Sequence, residues 1–156
     1  MICIIPIRSG SKGLKDKNIK EFNGIPLVIH NVNSALKSKI FAKIIIATDS
    51  NYYIKFLTRK ILDLKIPSKK ILFYKRSKYS STDMAPTEIV ISEVLKKYNE
   101  FSNACLIQAT SPFLKSNDIK KGFIKFKKNK FDSMFSCYVF KKFKFVKKKF
   151  LKHLNN

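Results

Sequence analysis

The chain reads as an α/β fold, three layers deep, with helices on both faces of a mostly parallel sheet. Two observations predict it. The sequence opens on a nearly continuous branched apolar run, Ile2, Cys3, Ile4, Ile5 and Ile7 around Pro6, the pattern of a short strand buried on both faces. Further strand-like runs then alternate strictly with segments whose apolar residues recur at helical spacing, and single crossovers of that kind give parallel pairing.

In order, Pro26 to Lys37 reads as a helix, with Leu27, Val28, Val32, Ala35 and Leu36 sharing a face and Pro26 suited to its first turn. Lys43 to Asp49 is the second strand. Ser50 caps a helix from Asn51 to Leu64 that turns Ile54, Leu57, Ile61 and Leu62 inward. Ile71 to Lys75 is a third strand and leads into a polar loop from Arg76 to Ala85. Pro86 begins a helix to Tyr98 with a stripe of Ile89, Val90, Val94 and Leu95. Ala104 to Gln108 is the fourth strand, and Thr110, Ser111 and Pro112 form its exit loop. Ser116 caps a helix to Lys128 with Asp118 in its first turn and Ile119, Phe123, Ile124 and Phe126 on its apolar side. Phe131 to Phe140 reads as a last strand. Residues 1–140 therefore form one domain, and 141–156, lysine and phenylalanine in near alternation, a basic tail or an edge strand.

With 156 residues, 45% of them hydrophobic, the chain can bury a sizeable core. The apolar runs are too short and too soon broken by lysine to span a membrane, and no signal-peptide pattern precedes them, so a cytoplasmic chain starting at Met1 is expected. Cys3, Cys105 and Cys137 have neither metal-ligand spacing nor an even count, and read as reduced thiols. The formal charge of +23 is the footprint of a nucleic-acid binder. Its composition argues otherwise. Only Arg8, Arg59 and Arg76 are arginine, the better fork for phosphates and bases, and no exposed ladder of aromatic and basic residues lies outside the tail.

The first strand ends in a loop, Arg8 to Asn18, that holds Arg8, Lys12, Lys15 and Lys17 with Gly10 and Gly13 between them. Two glycines let backbone N–H groups turn inward among the cations, which is how a loop receives a polyanion. A lysine-rich surface turn is the plain alternative. Position favours the first reading, because ligands of open α/β sheets bind beyond the carboxyl ends of strands. The loop is neither a Walker loop, lacking a closing Gly-Lys-Ser/Thr, nor the dinucleotide pattern, lacking a third glycine.

Arg-x-Gly-Ser-Lys-Gly-Leu-x-x-Lys-Asn, Arg8 to Asn18, followed by the Gly-x-Pro-Leu turn Gly24 to Leu27, resembles the nucleotide-binding signature of the N-acylneuraminate (sialic acid) cytidylyltransferases. Later segments resemble the same family in the same order: Thr48-Asp49, the loop Arg76 to Thr87, Gln108-Ala-Thr-Ser-Pro112, and Phe131 to Ser136. The resemblance runs from Ile2 to about Val139. It implies a Rossmann-like nucleotidyltransferase that transfers CMP from CTP to an acidic nine-carbon sugar and releases pyrophosphate. It also implies that Arg8, Ser11, Lys12 and Lys17 hold the triphosphate, with Arg8 and Lys17 as the catalytic charges. Asn18, Arg76, Ala85 through its backbone, and Thr87 would hold cytosine and ribose, and Gln108 would touch the sugar.

Displacement at an α-phosphoryl group needs mostly positioning and charge neutralisation, which fixed cations supply. The resemblance further implies Mg²⁺ and a homodimer. The family's Pro-Arg-Gln segment, dimerisation element and metal-holding Asp-x-Asp pair have no counterpart in this sequence, so a member truncated at its carboxyl end is expected, with Asp49 as the remaining candidate metal ligand. A remnant that binds CTP without turnover and a basic nucleic-acid-binding module are the alternatives. His30 and His153 have no triad partners beside them.

Overall fold

The structure is a computed structural model and describes residues 1–10, 13–137, 144–146 and 150–152. Four parallel strands form its sheet: β1 (Ile2–Ile7), β4 (Lys43–Thr48), β5 (Ile71–Lys75) and β6 (Ala104–Leu106), in the order β5-β4-β1-β6. β1 is central, with Ile2 opposite Lys43 on one side and Ala104 on the other. A central parallel strand is buried on both faces, which is why its sequence is a solid apolar run.

The period of two in β1 divides the core. Cys3, Ile5 and Ile7 face one layer, where α1 (Leu27–Ser38) contributes Val28, Val32 and Ala35. In the same layer α2 (Asn51–Asp63) contributes Tyr53, Leu57 and Ile61, and α4 (Ser116–Lys128) contributes Ile119. Ile2 and Ile4 face the opposite layer with Ile45, Ala47, and Val90 and Val94 of α3 (Thr87–Lys97). Full burial of each such side chain contributes roughly 1.5–3 kcal/mol against chain entropy. The predicted three-layer α/β/α arrangement is the observed one.

Several local expectations change. Ser50 caps α2, its Oγ accepting from Tyr53 N–H at 3.2 Å, but the buried face of that helix is Tyr53, Leu57 and Ile61, while Leu62 is 66% exposed. Buried positions four apart leave Leu62 about 100° round the helix from Ile61, outside the seam. Lys115, not Ser116, occupies the position before α4, and Asp118 closes that turn by accepting from the Lys115 N–H at 3.2 Å. On α4 Ile124 points away from the core and is 63% exposed.

Residues 131–137, expected to be a strand, are irregular and exposed, and 138–140 lie outside the described residues. Aromatic and β-branched composition yields a strand only against a ladder partner, and this stretch pairs with none of the described strands. A hairpin unforeseen in the sequence joins β2 (Glu21–Phe22) to β3 (Ile25–Pro26). Its turn is Asn23-Gly24, both at positive φ (48° and 80°), the conformation that an Asn-Gly pair suits. Beyond them, β7 (Lys144–Val146) and β8 (Phe150–Lys152) pair antiparallel with each other as a separate two-stranded sheet. The rest of the 141–156 tail lies outside the described residues.

Candidate functional site

Three of the parallel strands deliver their carboxyl ends to one cleft of about 400 Å³. Arg8 comes directly off β1, Arg76 off β5, and Gln108 and Thr110 from the exit of β6. Lys17 and Asn18 enter on a short 3-10 turn, Lys17–Ile19, and Ala85 and Thr87 at the start of α3. Every described residue that the sequence nominated as catalytic or substrate-binding therefore lines the same cleft: Arg8, Lys17, Asn18, Arg76, Ala85, Thr87 and Gln108. Ser11 and Lys12 lie outside the described residues. Gly13, Thr82, Asp83 and Val90 line the cleft as well and were not nominated.

The β1 loop is held at both flanks by the β4–α2 region. Asp49, at the end of β4, accepts from Ser9 twice, from its N–H and its Oγ, both at 2.8 Å. At the other flank Tyr53 donates its hydroxyl to Asp16 at 2.8 Å. Asp16 sits at φ 55°, a left-handed conformation that asparagine and aspartate tolerate better than most residues. Burial first, and the hydrogen bond to Asp16 second, push the Tyr53 phenol well above its ordinary value, so it is a donor at any working pH. Gly10, at φ 70°, starts the turn that leaves β1. Asn18 is 6% exposed and ties the loop to its origin, donating from Nδ2 to the Arg8 carbonyl at 3.2 Å.

Arg8 lies about one third exposed and forms an ion pair with Asp83 across the cleft. Arg76 is its opposite in setting. Its side chain is buried, with 8% of the residue exposed; Nη2 donates to the Ser80 carbonyl, and its Nε has no hydrogen-bond partner among the described residues. Burial pulls the guanidinium below its ordinary value, the charges of Asp49 and Glu93 oppose that, and Arg8 adds to it. An arginine stays charged even so, and a buried N–H without a partner is costly, so this cation is poised to donate to a ligand.

Ala85 spends its N–H on the Thr82 carbonyl at 3.3 Å, leaving its own carbonyl as the backbone group it can offer the cleft. α1 carries the β6 exit loop: Asn31, fully buried, donates to the Ala109 carbonyl at 3.1 Å, and Ser34 Oγ to the Leu114 carbonyl at 2.6 Å. With exposed and buried cations on two walls, amide groups between them and a helix start at one edge, the cleft suits a polyanion joined to a flat polar group.

The sequence matches the family model described as "Cytidylyltransferase" over residues 2–149. The chain belongs to the cytidylyltransferase family. It is 34% identical over 122 residues to the N-acylneuraminate cytidylyltransferase of Streptococcus agalactiae, covering 77% of this chain and 27% of that protein. It is 32% identical over 143 residues to the pseudaminic acid cytidylyltransferase of Campylobacter jejuni, covering 89% and 58%. A CMP-N,N'-diacetyllegionaminic acid synthase of Legionella pneumophila is 30% identical over 124 residues, covering 77% and 50%. The chain thus spans between 27% and 58% of the length of these relatives.

Solved structures share the cytidylyltransferase fold at lower identity. A CMP:2-keto-3-deoxy-manno-octonic acid synthetase complexed with CTP superposes with a TM-score of 0.60 at 19% identity, over 83% of this chain and 48% of that one. A cytidylyltransferase from Leptospira borgpetersenii gives 0.60 at 18%, over 82% and 48%. No helix among the described residues is long and apolar enough to cross a membrane.

The residues that sequence reasoning missed are those that hold the site together. Tyr53, Asn31 and Glu93 belong to no loop motif and act across 13 or more residues of chain, and Ser80, although inside the Arg76–Thr87 loop, was not singled out. Asp83 carried a signal as the acid of the Arg76–Thr87 loop.

Proposed function

We propose that this chain is the CTP-binding portion of a cytoplasmic cytidylyltransferase that passes CMP to a nonulosonic acid, an N-acylneuraminate or a close relative, and releases pyrophosphate. What carries the reading is the convergence of the nominated residues, drawn from three separate segments, on one cleft at the strand ends. The relatives named for sialic, pseudaminic and legionaminic acids support the acceptor class.

In this reading Arg8 and Lys17 neutralise the triphosphate, with Ser11 and Lys12 completing the loop. Arg76, Asn18, Thr87 and the Ala85 carbonyl hold the nucleoside, and Gln108 faces the acceptor. The acceptor hydroxyl oxygen attacks the α-phosphorus, the bond to the bridging oxygen breaks, and pyrophosphate leaves with the β- and γ-phosphates as the hydroxyl loses its proton. Charge grows on the leaving oxygens, where fixed cations stabilise the transition state more than the ground state.

The described residues do not fit a metal held by protein. Asp49 gives both carboxylate oxygens to Ser9, Asp83 is paired with Arg8, and no group of three His, Cys, Asp or Glu comes together among the described residues. Mg²⁺ normally keeps several waters and binds through substrate phosphates, so a metal would come with the nucleotide. No step here is routed through it.

The test is calorimetric titration with CTP in the presence of Mg²⁺, alongside pyrophosphate release on adding N-acetylneuraminic acid, for the chain and for Arg8→Ala. CTP-selective binding that weakens in Arg8→Ala is expected, and release would extend the reading to turnover. Binding without release would assign this chain nucleotide binding alone. Absence of selective binding, with duplex DNA retained at physiological salt, would return the +23 charge to a nucleic-acid role.

A further inference from the structure

Among the described residues Arg76 is the one cleft cation taken out of water, and its placement depends on a relay from α3. Its backbone N–H donates to the Thr48 carbonyl at 2.9 Å, which fixes where the residue leaves the sheet but not where the guanidinium goes. The head group is fixed by the Ser80 carbonyl alone among the described residues. Ser80, fully buried, is held in turn by side chains: its N–H donates to Ser77 Oγ at 3.1 Å and its Oγ to Glu93 Oε2 at 2.8 Å. Ser77 Oγ donates to the other oxygen, Glu93 Oε1. Glu93 thus grips both serines of the 77–80 turn from a helix whose neighbouring residues, Val90 and Val94, are locked into the core.

We propose that Glu93 is the positioning residue for Arg76: by holding the Ser77–Ser80 turn it sets the carbonyl that aims the guanidinium into the cleft, and so sets nucleotide affinity without touching nucleotide. Glu93 is not among the residues that line the cleft, so it acts there without a direct contact. Its charge supports the arrangement. Burial works to raise the Glu93 carboxyl, but hydrogen bonds from Ser77 and Ser80, with the positive charge of Arg76, outweigh it and hold the carboxyl below its ordinary value. A buried arginine gains from an anion nearby that does not compete for the face it offers a ligand, because direct pairing would satisfy the cation and close the site. The inference rests on the cleft being a CTP site only for its affinity readout.

Two measurements on the full chain test it. The first is the exchange of the arginine Nε–H with water, followed by NMR, with Arg76 assigned by its loss in Arg76→Ala; no ligand is involved. The Arg76 proton exchanges more slowly than those of Arg8 and Arg59 in the unaltered chain, and Glu93→Ala brings it to their rate. An Arg76 proton that stays protected in a folded Glu93→Ala chain overturns the proposal. The second is CTP affinity in a double-mutant cycle. Glu93→Ala weakens CTP about 10-fold alone and less than 2-fold in the Arg76→Ala background. Equal losses in both backgrounds overturn the proposal, since Glu93 would then act independently of Arg76. If Glu93→Ala does not fold, Ser80→Ala, which keeps the carbonyl and removes its tie to Glu93, carries both readouts at a few-fold effect. A chain that binds no CTP but shows the change in exchange defeats the CTP reading and leaves this one standing.

Discussion

The two cationic walls of the cleft solve one problem in opposite ways. The β1 wall keeps its charges near water: Arg8 is about one third exposed, Lys17 is half-buried, and the backbone that carries them is pinned at Ser9 and Asp16. The β5 wall buries a single arginine and pins the head group itself, through Ser80 and Glu93. An exposed cation loses little hydration on waiting for a ligand and returns little when the ligand arrives. A buried one has already lost its water, so each hydrogen bond the ligand completes is worth more, and misplacement costs more. Under the proposed function the difference divides the work between the walls: long-range pull in the β1 loop, strength and register at Arg76.

The largest effect expected from this contrast is in truncation. Arg76→Ala should weaken CTP on the order of 100-fold, the scale for removing one member of a buried charged hydrogen-bond set, against roughly 10-fold for Arg8→Ala. Calorimetry on both variants decides it, and a reversed order would erase the distinction between the walls. Next comes the pin of the exposed wall. Tyr53→Phe keeps the buried ring and loses only the bond to Asp16, so it should cost about 1–2 kcal/mol, read as a lower urea midpoint at unchanged slope. A change in slope instead would show that the substitution disturbs more than this one bond.

A smaller effect separates the walls by salt. Raising ionic strength from about 0.1 to 1 M shortens the screening length from about 10 to 3 Å. CTP affinity should fall several-fold in the unaltered chain and in Arg76→Ala, and less in Arg8→Ala, because the exposed charge is the one that salt reaches. The smallest is a pH effect. The Glu93 carboxyl titrates lower in the folded chain than its ordinary 4.5, so the folded state binds fewer protons, and its contribution is complete above that value and lost as pH falls through the folded one. Thermal midpoints between pH 5 and pH 3 should therefore drop less steeply in Glu93→Gln than in the unaltered chain.

What could be read in the sequence was what short spacing encodes. β1 and β4 declare themselves because strands buried on both faces are almost wholly apolar, and Arg8 and Arg76 stand out because arginine is rare in a chain where lysine is the default. Asn18 and Gln108 came with the loops that carry them. The supports did not. Glu93 lies on a helix whose apolar stripe gives no sign that its polar side turns back to a loop 13 residues earlier, and Tyr53 was not among the residues expected to turn inward from its helix.

Asp49 shows the reverse limit. It was nominated as a candidate metal ligand, and the same placement at a strand end brings it to Ser9, from whose N–H and Oγ it accepts, so the structure shows it bracing the β1 loop. The strand expected from Phe131 is absent over 131–137 for a different reason: strand propensity was present, but a strand is made by its partner, and these residues have none among the described strands.

The place of β1 in the sheet also has a consequence in time. The strand is made before both of its neighbours, β4, beginning at Lys43, and β6, beginning at Ala104. At a synthesis rate of about 5–20 residues per second, the most apolar segment of the protein waits roughly 2–8 s for one edge to be covered and about 5–20 s for the other. During that interval it is an unpaired, uncharged strand of the kind that seeks any available edge, so pairing with another chain competes with folding until β4 and β6 arrive.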